Sequence, residues 1–181
     1  MRMCDLRSGI AAAACLIVLA GCATSIPTRP KAVVEPPLSR SIPAPAGWLD
    51  VTDKALSPDV EYWFLAGDRS ASLLLKELQL RSPAGSAVSH ESLVTLAHVS
   101  LRLKFADRGS GLRVTQAPSL VESNPAFAMY SYAEQGLLRR VLVFRKQSRL
   151  FELELAQERE DDVFASHLAA QFAFAQAVLR Q

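Results

Sequence analysis

Cysteine is scarce in this chain and confined to one end: Cys4, Cys15 and Cys22 are its three thiols. Nothing after residue 22 can close a disulfide within itself, and no zinc or redox site there can use a thiolate. Histidine is equally rare. His90, His98 and His167 include no pair at the spacing of an H-E-x-x-H site, so the sequence offers no metal signature and no cofactor is expected. There is no G-x-S-x-G elbow, and Gly109-Ser110-Gly111 lacks the length and the lysine of a phosphate loop. Neither sign of charge dominates: the formal net is +2, which argues for no nucleic acid partner. The one sustained apolar run, from about Ile10 to Ala20, is shorter than the roughly 20 residues a bilayer span needs.

That run has the form of an export signal, with Arg2 and Arg7 before it and small residues after it. Leu19-Ala20-Gly21-Cys22 resembles the lipobox of bacterial lipoproteins. The resemblance implies removal of residues 1–21, a diacylglycerol thioether on Cys22 and, as a rule, acylation of the new amino terminus. Two or three acyl chains, each buried CH₂ contributing about 0.8 kcal/mol, hold a chain far more firmly than one. Ala23, rather than aspartate, follows the cysteine. By the family rule this implies the periplasmic face of the outer membrane, with the lipid as the membrane contact. The mature chain would carry 18 basic and 17 acidic side chains.

Residues 22–45 read as a tether. Pro27, Pro30, Pro36, Pro37, Pro43 and Pro45 remove backbone donors and favour extended, semi-rigid chain at about 3.1 Å per residue. Residues 46–181 then read as one mixed domain. A short strand is expected around Trp48 to Val51. Longer strands follow at "EYWFLAG" from Glu61, "ASLLLKELQL" from Ala71, "GLRVTQAPSLV" from Gly111, "AFAMYSYA" from Ala126, "LLRRVLVFRK" from Leu137 and "RLFELELAQ" from Arg149. Turn signals at Gly67-Asp68, Ser82-Pro83-Ala84-Gly85, Gly109-Ser110-Gly111 and Asn124-Pro125 separate them.

Val141 to Phe144 is apolar on both sides and requires cover on both. Phe151, Leu153 and Leu155 alternate with Glu152 and Glu154, which predicts a strand with one wet face. Two helices supply the cover. The first is expected from near Ser89, an N-cap with Glu91 in the first turn, through Leu93, Ala97, Leu101 and Phe105, although Val99, Leu101, Leu103 and Phe105 also alternate as a strand would. The second is expected after Asp161-Asp162, with Phe164, Leu168, Phe172, Ala175 and Leu179 as its bulky stripe and Ala165, Ser166, Ala169, Ala173, Gln176 and Ala177 opposite.

The fold class is therefore α+β, an antiparallel-rich sheet with helices on both faces in the order βββαββββα. That order, with "IPAPAGW" leading in at Ile42 to Trp48 and "ASLLLKEL" as third strand, resembles the PsbP-like superfamily of α/β/α sandwiches. The resemblance implies docking onto larger assemblies without catalysis. It carries over no catalytic residue.

Two surfaces are candidates for a partner. Arg139, Arg140, Arg145, Lys146 and Arg149 share one hairpin, where they would grip phosphate or acidic groups or simply guard an edge strand. Ala165, Ala169 and Ala173 would let a partner approach the last helix closely. The expectation is an envelope lipoprotein with a protein-binding domain and no enzyme activity. The alternatives are a carrier or sensor of a small apolar or lipid ligand, lined by Trp63, Phe64 or the Phe164 stripe, and a hydrolase without a motif.

Overall fold

In the computed structural model the chain divides into two units, Met1–Pro36 and Pro37–Gln181, and the structure describes residues 42–78, 90–158 and 164–181, all in the second. The lipobox residues Leu19 to Cys22, the tether up to residue 41, Ser89, the Ser82–Gly85 turn and Asp161-Asp162 lie outside the described residues, as do the side chains of His90, Glu91 and Phe164. Ile42 already belongs to the core, with Ala44 packed on it, ahead of the boundary expected at residue 46.

Among the described residues, seven strands form one sheet: β1 (Trp48–Asp50), β2 (Val60–Ala66), β3 (Ala71–Glu77), β4 (Leu112–Leu120), β5 (Phe127–Glu134), β6 (Leu137–Lys146) and β7 (Arg149–Gln157). Helix α1 (His90–Arg108) stands between β3 and β4, and α2 (Phe164–Arg180) closes the chain. The spatial order is β1-β2-β3-β7-β6-β5-β4, with every neighbouring pair antiparallel. Two meanders, β1–β3 and β4–β7, thus join where β3 pairs with β7. The expected class and element order hold.

The hairpin between β5 and β6 turns on Gln135 and Gly136, both at positive φ (51° and 81°), the backbone that a two-residue primed turn demands. Register follows from which side chains need burial. Tyr62, Phe64, Leu73, Leu75, Leu142, Phe144, Phe151, Leu153 and Leu155 face α2, where Phe174, Ala175 and Val178 close on them. Tyr130, Tyr132, Val141 and Val143 face α1 and meet Leu93, Ala97 and Leu101. The second half of α1, which could alternate as a strand, is helical through Arg108.

Two expectations are corrected. The buried side of α2 is His167, Gln171, Phe174, Ala175 and Val178, while Leu168, Phe172 and Leu179 are half-buried at its border. Bulk alone centres the stripe on the largest side chains, but Gln171 turns inward because its amide donates to the carbonyls of Arg140 (3.1 Å) and Leu153 (2.9 Å). More consequentially, β7 has no wet face: Glu152 and Glu154 are only 4% and 5% exposed, beneath α1.

Candidate functional site: a buried ionic cluster beneath the first helix

Alternation of β7 sends Glu152 and Glu154 to the α1 face, beside Val143 and Val141 of β6. On α1, Ser100, Lys104 and Arg108 recur every four residues, so they line one side of the helix and point at the same strip of sheet. Lys104 Nζ binds Glu152 Oε1 and lies 2.9 Å from Glu154 Oε2. Ser100 Oγ donates to Glu152 Oε2 at 2.7 Å. Its single proton being committed there, the Tyr130 hydroxyl, 2.6 Å away, is the donor to Ser100. Tyr132 donates to Glu154 Oε2 at 3.0 Å and accepts from Arg108 Nη1 at 3.1 Å.

The cluster is completed from β5 and β6. Arg108 Nη1 reaches Glu134 Oε2 at 2.6 Å, and Arg139 Nη1 binds Glu154 Oε1. Arg139 Nε is 3.0 Å from Glu134 Oε2 as an ion pair, but its angle makes no hydrogen bond. Three cations therefore face three carboxylates.

Burial alone would raise the Glu154 pKa, but Lys104 and Arg139 overcome it and hold the carboxyl at about 2. Burial works equally against the Lys104 ammonium, and Glu154 and Glu152 outweigh it, raising that pKa. Desolvation, with Glu152 and Glu154 adding to it, pushes the hydroxyls of Tyr130 and Tyr132 up. These protonation states tie the helix to the sheet as a clamp. Ser100 is 3% exposed, which keeps its hydroxyl from solvent, and Lys104 is held charged, which withholds the lone pair a nucleophilic amine needs.

A second, smaller cluster joins β2, β3 and β7. Arg149 Nη2 lies 2.6 Å from both Glu61 Oε1 and Glu77 Oε2, with its guanidinium carbon 4.9 Å from the Phe151 ring centre. Near it, Asp50, Thr52, Asp53, Glu61 and Tyr62 line an open polar depression.

The basic residues singled out from sequence do not form one patch. Arg139 is spent inside the main cluster and Arg149 in the smaller one. Arg140 faces α2 near the start of β6, whereas Arg145 and Lys146 stand at its far end on opposite faces, Arg145 donating Nε to the Gln147 carbonyl. Ala165, Ala169 and Ala173 form an exposed face of α2. His98 is exposed on α1, and His167 is buried edge-on to Trp48, with centroids 5.4 Å apart, and with Nδ1 3.3 Å from Gln157 Oε1. Phe64, expected to line a ligand cavity, is fully buried against Phe174 at 5.0 Å.

Glu152, Glu154, Lys104 and Ser100 were not among the residues expected to matter. The signal that could have found them is the polar series Ser100, Lys104, Arg108 running beside Leu93, Ala97 and Leu101, a helix with charge on its inner side.

Together, sheet and clamp define a seven-stranded antiparallel α+β sandwich whose first helix is fastened by buried charge. No protein-family model matches the chain, and no curated protein matches it. Among solved structures it is similar to the solution structure of cyanobacterial PsbP (CyanoP) from Synechocystis sp. PCC 6803, at 15% identity and a TM-score of 0.49, covering 73% of this chain and 81% of that one.

Proposed function

We propose that this protein is an envelope lipoprotein whose α+β domain binds another protein without catalysis. In this reading Cys22 carries the lipid, the proline-rich segment ahead of Ile42 holds the domain away from the membrane, and the periplasmic face of the outer membrane is its place. The observation that carries the non-catalytic part is the clamp: the buried carboxylates and lysine that would otherwise invite an enzymatic reading neutralise one another under a helix, and the serine among them is hydrogen-bonded to Glu152. The carrier alternative has less support, because Tyr62, Phe64 and Phe174 fill the space between β2 and α2 with edge-on contacts.

The anchor is tested in bacteria expressing the full chain. Cys22→Ser leaves the precursor uncleaved and unacylated, read by mass spectrometry of the membrane fraction; a processed, acylated Ser variant would refute the anchor. Binding is tested in the same cells with photo-crosslinkers at Ala165, Ala169 and Ala173 and on the β6–β7 hairpin. One abundant protein joined to one face supports the reading, whereas lipid adducts without protein return the weight to a carrier.

A further inference from the structure

Among the described residues, the sheet face that carries α1 is roofed over only half its width. Helix α1 packs on β4, β5 and β6. Strands β1, β2 and β3 continue that face with Leu49, Trp63, Leu65, Leu74 and Lys76, as register shows: Leu49 stands opposite Leu65, Trp63 opposite Leu74, Leu74 opposite Glu154 and Lys76 opposite Glu152. Leu49 is 56% exposed and the other four are half-buried, while the opposite face of β2 and β3 is buried under α2. Helix geometry supplies a wall to this floor. Ser100 and Lys104 reach toward β7, so at about 100° per residue the next positions round that flank are Leu96, Leu103 and then Val99. Leu103 is 48% exposed and Val99 37%. Apolar floor and apolar wall meet in a step beside α1, the kind of contiguous patch that marks an interaction site.

We infer that this step docks a helix of another protein, amphipathic and bearing carboxylates at one end; the inference rests on the binding-domain reading above. Charge selects the occupant. The buried cluster balances itself, leaving Lys76 with no ion pair among the described residues, level with Ser100 and Glu152. Arg145 shares the face one row beyond, opposite Leu150. At the other end, exposed Asp107 lies on the same flank in the last turn of α1. The recess is thus positive toward the start of α1 and negative toward its end, and the helix dipole adds the same signs. A partner helix fits antiparallel to α1, with its carboxylates over Lys76. A bilayer fits poorly, because α1 with its side chains stands roughly 10 Å proud of the sheet and holds a flat surface off Trp63 and Leu74. Tryptophan in such a pocket is the residue type that dominates helix-in-groove binding.

The test uses the mature chain and two fluorescein-labelled synthetic helices of about 18 residues with a leucine stripe, one with glutamates and one with lysines at its carboxyl-terminal end, followed by anisotropy. The glutamate helix binds at least about tenfold more tightly than the lysine helix, a difference of about 1.4 kcal/mol. Leu103→Glu, at an exposed position that leaves folding intact, weakens it by about tenfold or more, and Lys76→Glu reverses the order of the two probes. Equal binding of both helices, no binding, or binding unchanged in Leu103→Glu overturns the inference. So does a dimer, or adsorption to phosphatidylglycerol vesicles, that Leu103→Glu abolishes. If the recess fails while crosslinkers at Ala165, Ala169 or Ala173 still capture one protein, the binding-domain reading stands and only this surface is refuted.

Discussion

Lys104 is shared by two carboxylates that have little access to water, so its removal is felt twice. Lys104→Met leaves Glu152 with only the Ser100 proton and Glu154 with only Arg139 and Tyr132. Breaking one partner of a buried pair costs about 3–5 kcal/mol, because the remaining charge stays desolvated. Urea denaturation should show that loss, while Lys76→Met, at the half-buried rim, stays within about 0.5 kcal/mol. Adding Glu152→Gln and Glu154→Gln to Lys104→Met recovers part of the loss, since it removes the stranded charges. These are the residues the sequence hid. An alternating Phe-Glu-Leu-Glu-Leu strand has the same pattern whether its glutamates face water or a helical lysine some fifty positions away, and periodicity carries no information about that distant partner. The basic hairpin is divided by partners that periodicity does not show either: Arg139 and Arg149 find their carboxylates on other strands.

The elements themselves were far more legible. Strands β6 and β7 span the segments expected from Leu137 and Arg149, because short apolar runs punctuated by turn residues constrain a strand locally. What the pattern placed less well is the rotation of α2, whose alanine-rich composition lets several sides pass for the buried one. Phe174, not Phe172, is its anchor, edge-on to Tyr62 at 5.4 Å and to Phe64 at 5.0 Å. Phe174→Ala should therefore cost about 3–5 kcal/mol in thermal or urea unfolding, as large aromatic truncations in a closed core do. Ala173→Ser, one position round on the exposed side, should leave stability within about 0.5 kcal/mol. Equal losses from the two would mean that α2 sits on the sheet by a different face.

For the molecule as a whole, the clamp sets the acid limit. Glu154 has a folded pKa of about 2 against an ordinary 4.5, so the folded state binds its proton less readily than the unfolded chain does. A carboxyl depressed in this way contributes stability that is fully present above about pH 4.5 and disappears as pH falls toward 2; its size is on the order of 3 kcal/mol. Since α1 joins β3 to β4, the two meanders of the sheet, protonating the clamp loosens the link between them as well as the helix. A series of urea midpoints from pH 7 down to pH 2 should stay level to about pH 5 and then drop. Glu154→Gln, which keeps the size of the side chain but cannot titrate, should start lower at neutral pH and lose much less on acidification. If the two proteins lost stability in parallel below pH 4.5, the acid sensitivity would lie in other carboxylates, and Glu154 would not be the charge that ties α1 to the sheet.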